Sequence, residues 1–86
     1  MEQIVRSSKQ MGAAIRRRRR ILKLSQQEVG AQVRLRQATI SALENGEPGT
    51  RMRTLLDVMT ALGLEIVVRE RLADEDLQQL FLEELS

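Results

Sequence analysis

The 86-residue sequence has no cysteine, no histidine, no tryptophan and no tyrosine, and it holds one phenylalanine and one proline. Each absence removes a class of answer. Without Cys no disulfide can staple a small fold, and without Cys or His the usual zinc ligands are missing. With no His, no Cys and no carboxylate pair in a recognisable site context, neither an enzyme nor a cofactor is expected. Phe81 alone offers no stacking platform for single-stranded nucleic acid. No segment approaches the ~20 apolar residues of a membrane span, and the N-terminus lacks an apolar signal-like core, so a soluble cytoplasmic protein is expected. A chain of this size builds a thin core. Oligomerisation is then the remaining source of buried surface.

What is present is charge, unevenly placed. Residues 1–53 hold twelve Lys/Arg against four acids, a net +8, whereas residues 54–86 hold two Arg against eight acids, a net −6. A basic front half suits a polyanion, and duplex DNA fits better than single strands because aromatics are scarce. The acidic back half suits either a basic protein surface or plain solubility.

Residues 1–6 read as a flexible arm. Ser7-Ser8-Lys9-Gln10 has capping-box form and opens a helix to about Leu22, with Met11, Ala14, Ile15 and Leu22 on one face. Within it, Arg16–Arg20 cannot share one face, because a helix turns about 100° per residue. Either the run is a solvated basic surface or one or two of its members touch phosphate. Ser25-Gln26-Gln27-Glu28 is a second capping box, starting a helix to about Val33 in which Gly30 permits close approach. After a turn at Arg34-Leu35, a third helix begins at Arg36 or Gln37 and ends at Asn45, with Gly46 as a left-handed stop. Its Ile40 and Leu43 face inward. Gln37, Ala38, Ser41 and Ala42 are left outward, with no apolar reason to be there. The stretch Ser25–Gly46 thus reads as two helices around a tight turn, the second built to lie in a DNA groove.

Glu47-Pro48-Gly49 is a turn, and Thr50 is the expected cap of a fourth helix carrying Met52, Leu55, Leu56, Met59 and Leu62 as core residues, ended by Gly63. Leu64–Arg69 is a β-branched run. A lone strand leaves its backbone unpaired, and the simplest remedy is the same strand from a second copy, antiparallel about a two-fold axis. Leu64, Ile66, Val67 and Val68 are therefore the expected dimerisation residues. Residues 72–86 carry acids in the first turn and Leu77, Leu80, Phe81 and Leu85 at helical spacing. They form either a helix packed on its own dimer or a docking surface for another protein. The expected divisions are an arm (1–6), a DNA-binding domain (7–63), a dimerisation strand (64–70) and an acidic amphipathic tail (71–86).

The run Leu24-Ser25-Gln26, then Ala38-Thr39-Ile40-Ser41 and Leu43-Glu44-Asn45-Gly46, resembles the Cro/repressor (Xre) family of helix-turn-helix proteins. Met11-Gly12 with Ile15-Arg16, and Leu55-Leu56 with Ala61-Leu62-Gly63, extend the match over about residues 9–63. The strand after Gly63 and the Arg36–Ser41 run look in particular like HipB-type antitoxins. The resemblance implies an all-α, lambda-repressor-like bundle followed by the dimerising strand and the acidic tail. It places Gln37 and Ala38 against base edges, with Arg36, Ser41 and Ala42 at neighbouring contact positions. The chemistry suits those roles, since Gln can pair with adenine, Arg with guanine, and an Ala methyl can touch thymine.

The same resemblance makes Gln26 and Asn45 phosphate contacts, the former at a helix N-terminus. Ser25, Arg34, Arg16 and Arg20 are further phosphate candidates. It also pairs Arg19 with Glu44 as a partly buried, structural ion pair. Two departures from the family stand out: Arg34 occupies a position commonly Gly, and Gly30 one commonly Ala. The function implied is a homodimeric repressor reading a palindromic double-stranded operator. It would be the antitoxin of a toxin–antitoxin pair that autoregulates its operon and holds a HipA-like kinase toxin inactive, in a bacterial cytoplasm at the nucleoid. A free-standing repressor of the same fold is the alternative, and a protein–protein adaptor is an alternative of another class.

Overall fold

A computed structural model describes residues 2–71 and 82–84. Among the described residues, four helices follow in order: α1 (Ser8–Ile21), α2 (Gln26–Val33), α3 (Gln37–Glu44) and α4 (Met52–Ala61). Each contributes apolar residues to one core, in which Ile15, Val29, Ile40, Leu43, Val58 and Leu62 are buried, with Met11, Leu24, Val33, Leu35, Leu55 and Leu64 packed around them. Helices α1, α2 and α3 are eight to fourteen residues long. Isolated helices that short are marginal in water, so this shared core is what holds them.

The helix starts follow local chemistry only in part. At Ser25 the capping box is complete: Ser25 Oγ accepts from Glu28 N at 3.0 Å and Glu28 Oε1 accepts from Ser25 N at 3.0 Å. At Ser7 it is half formed. Ser7 Oγ accepts from Gln10 N at 3.1 Å, but Gln10 Oε1 takes its proton from Arg6 N at 2.6 Å instead of Ser7. Thr50 does not cap α4; Arg51 holds that position with no side-chain bond. Two further expectations are corrected. Leu22 lies at the end of α1 and is 39% exposed, because the chain turns there and Leu24 enters the core in its place. In α4, Met52 and Leu56 are exposed and Val58 takes the buried position, so the inward stripe is rotated from the one the leucines and methionines suggest.

All four helix ends use a left-handed residue. Lys23 and Arg34 have φ of 58°, Gly46 74° and Gly63 69°. After α1, Leu24 N donates to Arg19 O and Lys23 N to Arg20 O; after α3, Glu47 N donates to Ala42 O and Gly46 N to Leu43 O. These paired bonds satisfy carbonyls the helix leaves open. Gly30 and Gly12 do a different job. A Cβ on Gly30 would stand 2.6 Å from Leu35 O, and one on Gly12 would stand 2.5 Å from both Leu43 O and Glu44 O. Backbone meets backbone at both places. The second contact seats α1 directly on the C-terminal end of α3.

The described residues contain no β-strand. Residues 65–71 are exposed and irregular, and of the expected dimerisation residues Leu64 packs on the chain's own core while Ile66, Val67 and Val68 face solvent. One chain offers this segment no neighbouring strand, so ladder bonds cannot form within it. The expected arm is tethered: Val5 is half-buried, Arg17 Nη1 donates to Gln3 Oε1 at 3.5 Å, and Glu2 pairs with Arg69 at 3.7 Å. The expected tail helix, with Leu77, Leu80, Phe81 and Leu85, lies outside the described residues. Residues 82–84 are helical and exposed. Among the described residues, no helix is long and apolar enough to cross a membrane.

A left-handed non-glycine residue carries a steric strain of roughly 1 kcal/mol. Lys23→Gly and Arg34→Gly are each expected to raise stability by up to about that amount in urea denaturation. Unchanged midpoints would show that the strain is relieved elsewhere.

Candidate nucleic-acid interface

The centre of the site is the Glu44 carboxylate at the end of α3, whose side chain is fully buried. Burial by itself pushes the Glu44 carboxyl up. Hydrogen bonds from Arg19, Gln26 and Arg16, together with the Arg19 charge, outweigh it and hold the group below the usual carboxylate range. Arg19 reaches it from α1 with both ends of its fork: Nε donates to Oε2 at 2.6 Å and Nη2 to Oε1 at 2.9 Å. The third nitrogen, Nη1, donates to Leu24 O at 2.9 Å, so the guanidinium also ties down the turn between α1 and α2. Such two-point pairing fixes geometry as well as charge.

Two further side chains converge on Glu44 Oε1. Gln26, at the first position of α2, donates Nε2 at 3.2 Å, and Arg16 donates Nε at 3.4 Å. Arg16 also donates Nη2 to Asn45 Oδ1 at 2.8 Å, and Gln37 donates Nε2 to Gln26 Oε1 at 3.4 Å. The network therefore brings together four of the residues singled out for DNA contact: Gln26, Gln37, Asn45 and Arg16. Among the described residues, no buried side-chain nitrogen or oxygen lacks a partner.

The other candidates are placed less tightly. Arg36, the N-cap of α3, and Ala38 are exposed; Ser41 and Ala42 are half-buried on the same short helix. Ser25 is committed to capping α2, and Arg34 stands exposed at the left-handed turn. The five arginines divide as helical rotation requires: Arg19 inward, Arg16 and Arg18 on the flanks, Arg17 and Arg20 exposed. Arg16 is not a free cation waiting for phosphate, since Glu44 and Asn45 already hold it. Arg18 has a role the spacing did not reveal. Its Nε donates to Leu62 O at 2.9 Å, covering a carbonyl at the end of α4. Periodicity could show that Arg18 lay beside the core but not which carbonyl it would meet.

Two helices joined by a tight left-handed turn, with polar side chains of the second tied to the first, define a helix-turn-helix protein. The family model described as a helix-turn-helix domain matches residues 10–72, and the chain belongs to that family. Among solved structures it is similar to HipB in a complex with an O2 20mer, at 26% identity and TM-score 0.76, over 81% of this chain and 97% of that one. It is equally similar to a chain of a HipA–HipB–O2–O3 complex, at 26% identity and TM-score 0.75, over 80% and 97%. No curated protein sequence matches it. The likeness to the Xre family and its HipB-type members thus holds in three dimensions.

The Glu44 shift gives stability a definite pH dependence. Because the folded-state pKa lies below the unfolded one, the stabilisation is fully present above the unfolded value, near 4.5, and is lost as pH falls through the folded value. Melting temperatures measured from pH 7 downward are expected to fall more steeply for the unmodified chain than for Glu44→Gln. At pH 7, Glu44→Gln, which removes one partner of a buried pair, is expected to lose about 3 kcal/mol. Equal stability of the two chains at pH 7 would remove the pair from its structural role.

Proposed function

We propose that the chain is a sequence-specific repressor that binds double-stranded operator DNA as a homodimer and serves as the antitoxin of a toxin–antitoxin pair. The observation that carries the reading is the tie from Glu44 through Gln26 to Gln37, which holds a long polar side chain at the exposed start of α3. In this reading Arg36, Gln37, Ala38, Ser41 and Ala42 face base edges. Gln26, Asn45, Ser25, Arg34 and Arg20 line the path of the backbone, and Arg16 holds Asn45 there. The net +8 of residues 1–53 suits a phosphate-dominated interface.

A second copy supplies the second half-site. Ile66, Val67 and Val68, exposed in the single chain, are suited to an antiparallel strand pair that would place two recognition helices about 34 Å apart. The partner side of the proposal is supported by the likeness to HipB in complex with HipA, and the toxin would be a HipA-like kinase. It would silence its own operon while holding that kinase inactive, as a non-enzymatic regulator. A free-standing repressor would share all of this except the toxin. Affinity capture from the native host separates the two: a co-purifying kinase-fold protein supports the antitoxin, and its absence favours the free repressor.

Binding to a selected duplex, followed by fluorescence anisotropy, is expected to weaken steeply between 50 and 200 mM salt, by about tenfold or more. Gln37→Ala should lower discrimination between the selected site and random DNA. A flat salt response together with unchanged discrimination would overturn the reading. In sedimentation experiments at micromolar concentration, Val67→Pro and Ile66→Asp should shift the protein from dimer toward monomer. A monomeric unmodified chain under those conditions would end the dimer proposal.

A further inference from the structure

Five of the nine large apolar side chains exposed among the described residues belong to three separate segments. They are Ile4 in the arm, Ile21 at the end of α1, and Ile66, Val67 and Val68 after α4. Side chains of α1 gather those segments at one corner. Arg17 Nη1 donates to Gln3 Oε1 at 3.5 Å, which lays the arm back along the helix. Arg18 Nε donates to Leu62 O at 2.9 Å, which holds the exit from α4. Ile21 follows Arg17 by four positions and Arg18 by three, so it stands on their face one turn further on. Glu2 ties the arm to the exit segment by pairing with Arg69 at 3.7 Å. Ile4 and Val67 are each two residues from that tie, so neither lies more than about 7 Å from it along its own segment.

We propose that this corner is a self-complementary surface on which a second copy of the chain docks, so that the arm and the end of α1 join the contact made by residues 64–68. The proposal rests on the reading of the chain as a dimer and enlarges its interface from one segment to three. A strand pair formed by residues 64–68 of two copies is a two-stranded ribbon, which is marginal in water unless its face is covered. Ile4 and Ile21 supply apolar surface for that cover.

The charges at the edge point to a second copy as the occupant. A contact about a two-fold axis sets residue i against j and j against i, so the surface must match itself. An apolar centre meets that condition, and so does an edge carrying one acid and one base, Glu2 and Arg69. Within one chain their pair is loose, the side chains being 85% and 59% exposed. Each is therefore accessible to the opposite charge of the other copy. The corner also lies on the α4 side of α1, whereas Arg16 reaches Glu44 and Asn45 on the α3 side. Docking there leaves the candidate nucleic-acid face open.

Sedimentation equilibrium on the full chain tests the proposal, with circular dichroism to check that each variant is helical. Ile4→Asp and Ile21→Asp alter exposed positions outside the core, and each should raise the dimer dissociation constant by about tenfold or more. Met52→Asp, as exposed but at the opposite end of α4, should leave it unchanged. Glu2→Arg and Arg69→Glu should each weaken self-association several-fold. An equimolar mixture of those two variants should recover it, because a mixed dimer restores opposite charges at both places across the axis. A pair confined to one chain gains nothing from mixing, so a mixture without recovery would overturn the two-fold pairing. If Ile4→Asp and Ile21→Asp dimerise as the unmodified chain does, the corner belongs to a different partner, and the proposal is overturned while the dimer stands. An unmodified chain that stays monomeric at micromolar concentration ends the dimer reading and this proposal with it.

Discussion

The structure depends on one buried carboxylate. Glu44 stands at the C-terminal end of α3, where open helix carbonyls already make the field unfavourable to a negative charge. Taking it out of water adds a further penalty. Both are offset because Arg19 meets it with a two-point contact and Gln26 and Arg16 add donors, so that every side chain around it is an obligatory or available donor. A pair of this kind is weak evidence of net stability, since well-packed apolar residues could do as well. What it contributes is uniqueness. Arg19 from α1, Gln26 from α2 and Glu44 from α3 meet only when the three helices are in one register.

The packing that permits this meeting is made by the absence of side chains. Gly12 lets α1 rest against the backbone carbonyls of Leu43 and Glu44, and Gly30 lets the Leu35 carbonyl approach α2. Together they bring the helix axes close enough for short polar side chains to bridge them. Gly30 weakens α2 as a helix by about 1 kcal/mol relative to alanine. In exchange it allows a turn of only three residues, whose left-handed Arg34 then accepts strain of similar size. Local strain and local propensity are both set aside here so that the two helices lie at a close, fixed angle.

The site is rigid at its base and sparse at its surface. Glu44 and the core side chains behind α3 are buried, while the face that would meet DNA carries small or amide groups whose orientation is inherited from within. A recognition surface organised this way needs few residues of its own. It also explains why the basic run of α1 is so mixed in function: Arg19 and Arg16 organise the site, Arg18 closes α4 at Leu62 O, and Arg17 and Arg20 remain exposed.

Much of this was legible in the order of residues. Helical spacing, the Ser25–Glu28 capping box, Gly46 and Gly63 as stops, and the segregation of charge are local or near-local properties, and they located four helices to within a residue or two. They also put Gln37 and Ala38 outward on α3, while the resemblance marked Arg34 as standing where the family commonly has Gly. The errors fell where local signals compete. Thr50 is a good cap in isolation yet stands one residue too early, and Met52 and Leu56 are apolar yet lie on the outer side of α4. Leu64–Arg69 is a different case: it has strand composition and is irregular in the single chain, and the strand expected of it needs a neighbour from a second copy. The sequence by itself therefore determined which segments are helical, where they stop and which residue types are available to touch a nucleic acid. Tertiary structure alone decided that Arg16 is held by Glu44 and Asn45, that Arg18 closes α4, and which way the amides of Gln26 and Gln37 turn. Those outcomes depend on distances between residues eleven to forty-four positions apart, and such distances exist only once the core has set the helices against one another.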